Sequence, residues 1–209
     1  MTIYHGDCRE IVPTLGRFDL LLTDPPYGIN CGVDGARTDE RIRSKQTRKH
    51  GFRDYGETRM WDAERVDNLN DLVEAAKQAI IWGGNYYADL LPPSMGWFFW
   101  DKGQRDFSMS DGELAWRSEN VALRAVTIPR ASVISDGKHH PTQKPEKLMR
   151  WCIEQAGDVE TILDPFAGSG TTGRAAKDLG KRAVLIEREE KYCEIAAKRL
   201  AQEVLNLGS

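Results

Sequence analysis

The chain alternates short apolar runs with stretches in which apolar residues recur at helical spacing. The apolar run Phe18–Thr23 predicts a buried parallel strand. Two prolines follow Asp24 and can continue neither a helix nor a sheet ladder, so this strand must end in a rigid loop. In open α/β sheets, ligands bind at such carboxyl ends. The other predicted elements are a helix from Val66, strands at Ala79–Trp82 and Gly96–Asp101, an antiparallel sheet edge at Glu113–Trp116 and Val121–Ile128, a helix from Pro145, a strand at Glu160–Leu163, a helix at Thr171–Leu179, a strand at Arg182–Ile186 and a helix at Glu189–Leu205.

Length and composition predict one compact domain in a reducing compartment. A chain of 209 residues with 40% hydrophobic and 29% charged residues can bury a continuous core. No apolar run approaches the roughly 20 residues needed to cross a bilayer, so no membrane contact is expected. The first residues lack a secretory signal, which predicts a cytoplasmic protein. Its four cysteines are scattered without a C-x-x-C pair and are interpreted as free thiols.

Charge is distributed unevenly along the chain. The net charge of −3 argues against a histone-like mode of nucleic-acid binding. Between Ala36 and Met60, however, eight basic residues outnumber four acidic ones, a local excess of +4. For an isolated charge run, a solvated surface loop is the common outcome. The basic residues considered as DNA contacts are Arg37, Arg41, Arg43, Lys45, Arg48, Lys49 and Arg53.

A glycine-rich turn lies between a predicted strand and a predicted helix. Gly168, Gly170 and Gly173 follow the pattern G-x-G-x-x-G, which lets a backbone pass close to a nucleotide-like ligand. Glu187 ends the next strand, 19 positions after Gly168, where an acid accepts hydrogen bonds from ribose hydroxyls. A dinucleotide would satisfy this pattern too, and the alternative is a tight turn with a surface glutamate.

The loop Asp24-Pro25-Pro26-Tyr27 suits a different chemistry. An amino group on an aromatic base is a poor nucleophile, because its lone pair is delocalised into the ring. A carboxylate and a backbone carbonyl held by prolines can accept both amino hydrogens and stabilise the positive charge of methyl transfer. Tyr27 can stack on a base swung out of the duplex. The alternative is a proline-rich loop with a helix-capping Asp and a packed Tyr.

With both sites in view, the sequence resembles the amino-methylating DNA methyltransferases of the β class. The resemblance covers most of the chain and implies an α/β, Rossmann-like fold that binds S-adenosylmethionine. It further implies a mostly parallel, seven-stranded sheet with helices on both faces and a circularly permuted motif order. The motifs that carry it are Gly6-Asp7-Cys8, Asp24 to Gly28, Trp97 to Asp101, His140 to Pro145 and Asp164 to Gly173.

The resemblance also implies roles for individual residues. Asp7 would contact the cofactor adenine, Glu187 its ribose, and Lys144 would help to close the pocket. The product would be S-adenosylhomocysteine, and no metal is expected, although His139-His140 could suggest one. Carbon-methylating enzymes place a cysteine beside the catalytic proline, where this chain has Asp24. The predicted catalytic residues are Asp24, Pro25, Pro26 and Tyr27, and the predicted cofactor-binding residues are Asp7, Cys8, Asp24, Pro141, Thr142, Lys144, Asp164, Phe166, Ala167, Gly168, Ser169, Gly170, Thr171 and Glu187.

Target recognition is where the chain departs from larger relatives. Only 37 residues, Lys102 to Lys138, precede the His-Pro-Thr-Gln segment. We therefore expect a basic insertion at about 31–62 of the single 1–209 domain to contact double-stranded DNA. In the family that the sequence resembles, members with Asp at the first loop position mostly modify adenine, so the resemblance favours the N6 amino group of adenine. N4 of cytosine, an RNA or free nucleotide substrate, and a non-catalytic DNA-binding relative are the alternatives. The chain leaves open whether the protein is a monomer or a homodimer and whether it serves restriction-modification; its small size favours a phage-type enzyme.

Overall fold

The computed structural model describes residues 1–29, 65–105, 110–129 and 143–202. The chain falls into two compact units, one formed by Met1–Pro25 with Asn68–Ser209 and the other by Pro26–Asp67. In the second unit, Tyr27 forms an isolated antiparallel bridge with Arg65. The predicted basic insertion at 31–62 lies outside the described residues.

The first unit is built on a mixed sheet that has eight strands in the described residues, one more than the predicted seven. The strands are β1 (Thr2–His5), β2 (Phe18–Thr23), β3 (Ala76–Trp82), β4 (Trp97–Asp101), β5 (Gly112–Arg117), β6 (Arg124–Thr127), β7 (Thr161–Asp164) and β8 (Arg182–Glu187). Their order in the sheet is β1-β8-β7-β2-β3-β5-β4-β6. Five of the seven neighbouring pairs are parallel, which confirms a mostly parallel sheet.

One strand direction was predicted wrongly. β5 is antiparallel to β3 and β4, as expected, but β6 pairs with β4 in parallel from Phe98↔Arg124 to Asp101↔Thr127. The reason lies in the connection between β5 and β6. At the end of β5, the Arg117 amide donates to the Gly96 carbonyl, just before β4 begins. The next strand therefore starts beside the start of β4 and runs in the same direction.

Five α-helices occupy the described residues, with short 3-10 helices at Val12–Thr14 and Gly84–Tyr87. The predicted helix from Val66 ends earlier than its apolar spacing suggested, because Ala76 already belongs to β3. Pro145 caps the helix that it was expected to begin. None of the described helices is long and apolar enough to cross a membrane. The helices are α1 (Cys8–Ile11), α2 (Leu69–Glu74), α3 (Glu146–Gln155), α4 (Thr171–Asp178) and α5 (Glu190–Ala201).

The core lies on both faces of the central strands. Leu20 and Leu22 of β2 point to one face and are buried in the same apolar cluster as Leu148 of α3 and Ala175 of α4. Leu21, which points to the opposite face, is also fully buried. This continuous burial explains why β2 reads as an unbroken apolar run rather than an alternating one.

Replacing Gly96 by Ala should destabilise the fold. A Cβ atom there would clash with the backbone carbonyl of Glu119 and lie 3.0 Å from Cβ of Arg117. Because β4 and the β5–β6 connection cannot separate without breaking sheet hydrogen bonds, we expect a decrease of about 1 to 3 kcal/mol in the free energy of unfolding. Urea denaturation measures it.

Gly16→Ala is the matched control, since a Cβ at Gly16 would meet no atom within 4 Å. It should leave the unfolding free energy within about 0.5 kcal/mol of wild type. Equal effects of the two substitutions would contradict the close approach at Gly96.

Candidate functional site

Four acidic residues mark the carboxyl ends of four adjacent parallel strands. Asp7 follows β1, Glu187 ends β8, Asp164 ends β7 and Asp24 follows β2, and these strands are neighbours in that order. Because parallel strands end at the same edge of a sheet, the two motifs that are about 140 residues apart in sequence come together there. The candidate site is this edge of the sheet.

The glycine-rich loop between β7 and α4 holds its shape through backbone hydrogen bonds. The Ala167 amide donates to the Ile186 carbonyl at 3.0 Å, which ties the loop to the end of β8. Gly168 and Gly170 have φ values of 49° and 79°, in the left-handed region that favours glycine. A Cβ at Gly170 would also lie 2.8 Å from Cβ of Ala196. Glycine is therefore required both by backbone conformation and by the approach of α5.

Glu187 is joined to this loop by its side chain. One carboxylate oxygen accepts a hydrogen bond from the Gly168 amide and the other from the Glu189 amide, both at 2.8 Å. Burial raises the pKa of Glu187. A carboxylate has about four lone-pair sites, so these two bonds leave capacity for hydroxyl donors.

Asp7 lies beside Glu187, because the Gly6 amide donates to the Glu187 carbonyl at 3.0 Å. Its carboxylate caps α1 and also accepts three side-chain hydrogen bonds from Arg9, the shortest at 2.6 Å from Nη2. These bonds lower the pKa of Asp7 to about 2. Asp7 is therefore a fixed anion at the start of α1.

Cys8 follows Asp7 but is poorly suited to nucleophilic chemistry. Its thiol is buried, and burial raises the pKa of Cys8 to about 11. The reactive form of a cysteine is the thiolate, which is scarce at neutral pH under these conditions. Cys8, Cys152 and Cys193 are free thiols, as predicted; Cys31 lies outside the described residues.

Asp164 connects the two predicted motifs directly. Its Oδ1 atom accepts a hydrogen bond from the Thr23 hydroxyl at 2.8 Å and another from the Phe166 amide at 3.1 Å. Thr23 immediately precedes Asp24, and Phe166 begins the glycine-rich loop. The carboxyl group is only 3% exposed, and burial raises the pKa of Asp164 to about 6.

Ser169 and Thr171, which were predicted to bind a cofactor, both contact Arg199 of α5, and the Ser169 hydroxyl also donates to Gln143 Oε1 at 3.1 Å. Arg199 of α5 donates to the Ser169 carbonyl at 2.8 Å, to the Ser169 hydroxyl at 3.1 Å and to the Thr171 hydroxyl at 3.3 Å. Sequence reasoning missed Arg199. Its signal was a charged residue at helical spacing from Tyr192 and Ala196, on a helix face that is otherwise buried.

Lys144 was predicted to close the cofactor pocket, and the structure pairs it with the catalytic candidate. Its Nζ atom lies 2.5 Å from Oδ2 of Asp24 and 3.0 Å from Oε2 of Glu113. Glu113 in turn contacts Lys102, with Oε1 and Nζ 2.7 Å apart. Burial alone would raise the pKa of Glu113, but Lys144 and Lys102 lower it to about 2.

Glu113 and Lys102 were not predicted as site residues. Their segments read as sheet strands, and sequence spacing carries no signal that a lysine after β4 and a glutamate in β5 meet a lysine 31 positions later. The antiparallel register of β4 and β5, in which Trp100 lies opposite Glu113, brings Lys102 and Glu113 together.

Several predicted residues cannot be placed in this geometry. Pro26 and Tyr27 belong to the second unit, whereas Asp24 and Pro25 belong to the first. Across the described ranges, no group of three or more His, Cys, Asp or Glu side chains is arranged to hold a metal ion. The predicted residues outside the described part of the chain are Pro141, Thr142, His139, His140, Arg37, Arg41, Arg43, Lys45, Arg48, Lys49 and Arg53.

The fold is similar to that of solved methyltransferase structures. It aligns with the solved structure of the M1.HpyAVI–SAM complex over 95% of this chain and 99% of that one, with a TM-score of 0.61 and 20% identity. It also aligns with the PvuII DNA methyltransferase, named as cytosine-N4-specific, over 97% and 87% of the two chains, with a TM-score of 0.59 and 16% identity. The predicted Rossmann-like methyltransferase fold is thus confirmed.

Sequence comparison finds similarity to known DNA methylases over part of the chain. Residues 100–198 match the model of the N6/N4 methyltransferase family, described as DNA methylase. A stretch of 65 residues is 52% identical to the type II methyltransferase M2.DpnII of Streptococcus pneumoniae. That stretch is 31% of this chain and 24% of the relative, so the chain matches about a quarter of the relative's length. The resemblance to amino-methylating DNA methyltransferases is confirmed, and residues 100–198 are similar to this family.

The buried carboxyl group of Asp164 predicts a pH dependence of stability. Its pKa rises from 3.8 to about 6 on folding, so at intermediate pH the folded state holds more protons than the unfolded state. Stability from this group is therefore fully present below about pH 4 and is lost as pH rises through about 6, a loss of about 3 kcal/mol.

Urea denaturation of wild type and of Asp164→Asn, at about pH 4 and at neutral pH, measures how the free energy of unfolding changes with pH. The asparagine side chain can still accept hydrogen bonds but cannot ionise, so the variant should lack this loss between acidic and neutral pH. The same pH dependence in both proteins would contradict the raised pKa of Asp164.

Proposed function

We propose that the chain is an S-adenosylmethionine-dependent DNA methyltransferase that acts on the exocyclic N6 amino group of adenine. The observation that carries the proposal is the bond from Thr23 to Asp164. It fixes the start of the Asp24 loop against the start of the glycine-rich loop. The Asp24 carboxylate, which can accept a hydrogen bond from a target amino group, therefore follows a residue that is tied to the start of a loop suited to a nucleotide-like cofactor.

The residues present fit the cofactor. Glu187 retains lone pairs for ribose hydroxyls, and Gly168 and Gly170 keep the loop backbone free of side chains on that path. Asp7 lies next to Glu187, where the adenine end would be bound. The name of the M1.HpyAVI complex records S-adenosylmethionine on a related fold. The cofactor would supply an electrophilic methyl group on its sulfonium sulfur and leave as S-adenosylhomocysteine.

In this proposal, Asp24 stabilises the positive charge that develops on the target nitrogen during methyl transfer. Its carboxylate accepts a hydrogen of the target amino group, and a backbone carbonyl held by Pro25 and Pro26 accepts the other. These acceptors favour a tetrahedral nitrogen and stabilise the positive charge that develops on it. Tyr27 stacks on the base after it leaves the duplex. A carbon target would instead need a thiolate, and the buried, protonated Cys8 is unsuited to that role.

The choice of adenine is supported by Asp24 at the first position of the loop. Cytosine N4 is the second candidate, since the same acceptors serve both amino groups and the related PvuII fold is named as cytosine-N4-specific. A DNA-binding relative without activity would leave the Asp24 loop and the Glu187 loop without a use.

Replacing Asp24 by Asn should lower methyl transfer by about 100-fold or more, because the neutral amide cannot match the charge that forms on the nitrogen. The measurement incubates duplex DNA with labelled cofactor at saturating concentration, digests the DNA and identifies the modified nucleoside. N6-methyladenine supports the proposed base, whereas N4-methylcytosine supports the second candidate.

Asp158→Asn is the matched control, because Asp158 is an exposed aspartate that precedes β7 at the opposite edge of the sheet. It should label DNA as wild type does. Full incorporation by the Asp24→Asn variant would refute the role of Asp24.

The basic insertion at about 31–62 supplies the phosphate contacts in this proposal. Changing Arg41, Arg43, Lys45 and Arg48 to Gln should weaken DNA binding and reduce the slope of log affinity against log salt, by about 0.9 for each phosphate that the variant no longer neutralises. Fluorescence anisotropy over a salt series measures both quantities.

A control variant neutralises four exposed basic residues at the amino ends of the strands, away from the candidate site. It should bind DNA nearly as wild type does, and equal decreases in affinity in the two variants would mean that only overall charge matters. The control residues are Arg17, Lys77, Arg124 and Arg182.

A further inference from the structure

Four side chains of alternating charge form a continuous chain at the carboxyl edge of the sheet. Asp24 contacts Lys144, Lys144 contacts Glu113, and Glu113 contacts Lys102. Two negative and two positive charges leave the group neutral. The side chains of Lys144 and Lys102 are 6% and 7% exposed, so both ammonium groups depend on these partners.

Lys144 stands between two carboxylates. An ammonium group has three N–H donors. Lys144 donates to Asp24 Oδ2 at 2.5 Å and forms an ion pair with Glu113 Oε2 at 3.0 Å. The Glu113 Oε2 atom is shielded from solvent and accepts no hydrogen bond from the described residues in this arrangement. Its other oxygen is held by Lys102, which also donates to the Ser110 hydroxyl at 3.1 Å. Glu113 is therefore a fixed anion on the rigid strand β5.

This pairing competes with the proposed chemistry. Methyl transfer needs Asp24 to accept a hydrogen from the target amino group, yet the Lys144 ammonium donates to the same carboxylate. If the ammonium left Asp24 without a second anion, a buried cation would lose a carboxylate partner, which costs several kcal/mol. Glu113 lies within contact distance to avoid that cost.

We propose that Glu113 is a positioning residue for methyl transfer, which holds the Lys144 ammonium while the Asp24 carboxylate turns to the amino group of the target base. The inference rests on the proposed function. No covalent bond changes at Glu113, and the ammonium keeps its proton throughout. Lys102 keeps Glu113 ionised and in place.

The first test is Glu113→Gln in the full chain, measured by single-turnover methyl transfer to duplex DNA at saturating labelled cofactor. The amide cannot hold the ammonium as a carboxylate does, so Lys144 stays on Asp24. We expect methyl transfer roughly tenfold slower or more, the effect of one charged hydrogen bond. The dissociation constant of the cofactor should remain near the wild-type value, which a general disruption of the site would change.

Two double variants separate positioning from charge balance. Glu113→Gln alone leaves one negative and two positive charges, and either Lys144→Met or Lys102→Met in the same chain restores neutrality. Glu113→Gln with Lys144→Met removes the competing ammonium and should recover much of the lost rate. Glu113→Gln with Lys102→Met leaves Lys144 on Asp24 and should stay slow. This comparison is decisive even if the single variant does not fold.

Equal recovery in both double variants would mean that only neutrality matters and would overturn the inference, as would recovery in neither. Wild type serves as the reference for the proposed function itself. If wild type transfers no label to DNA although it binds cofactor, the proposed function fails and the inference falls with it. If wild type is active but the variants do not follow the expected pattern, only the inference is overturned.

Discussion

The hydrogen bond from the Thr23 hydroxyl to the Asp164 carboxylate holds the candidate site together. It joins the ends of the adjacent strands β2 and β7 at 2.8 Å, in a buried position next to both functional loops. The same oxygen accepts the Phe166 amide, so one carboxylate sets the start of the Asp24 loop and the start of the glycine-rich loop. Because neither strand can slip without breaking this hydrogen bond, Asp24 and Phe166, the first residues of the two loops, keep a fixed spacing.

Burial of charge at this edge has a cost that the surroundings offset at one carboxyl group and not at another. At Asp164, desolvation outweighs the hydrogen bonds, and the pKa of the carboxyl rises. At Glu113, two lysines outweigh desolvation, and its pKa falls. The pKa values of these two carboxyl groups, at the same edge of the sheet, thus shift in opposite directions. A group of alternating charges can stay ionised at neutral pH where an isolated buried carboxylate becomes protonated more readily.

Local patterns in the sequence predicted the parts of the fold that local chemistry decides. The strand β2 and the glycine-rich turn were predicted closely, because burial on both faces and positive φ values leave direct marks on residue type. The direction of β6 was predicted wrongly, since it depends on where β5 ends rather than on its own residues. Glu113 and Arg199 were missed for a related reason: each acts through partners that only the folded register supplies.

The residues that sequence patterns overlooked share one property. Each has a charged side chain at a position where the pattern predicts a buried residue. Arg199 interrupts a buried helical face, and Lys102 is almost fully buried. Apolar residues of similar size would serve packing as well and avoid the desolvation of charge. Charges kept in such positions indicate a requirement other than stability. Their common location, around the Asp24 carboxylate and the glycine-rich loop, ties that requirement to the chemistry at the edge of the sheet.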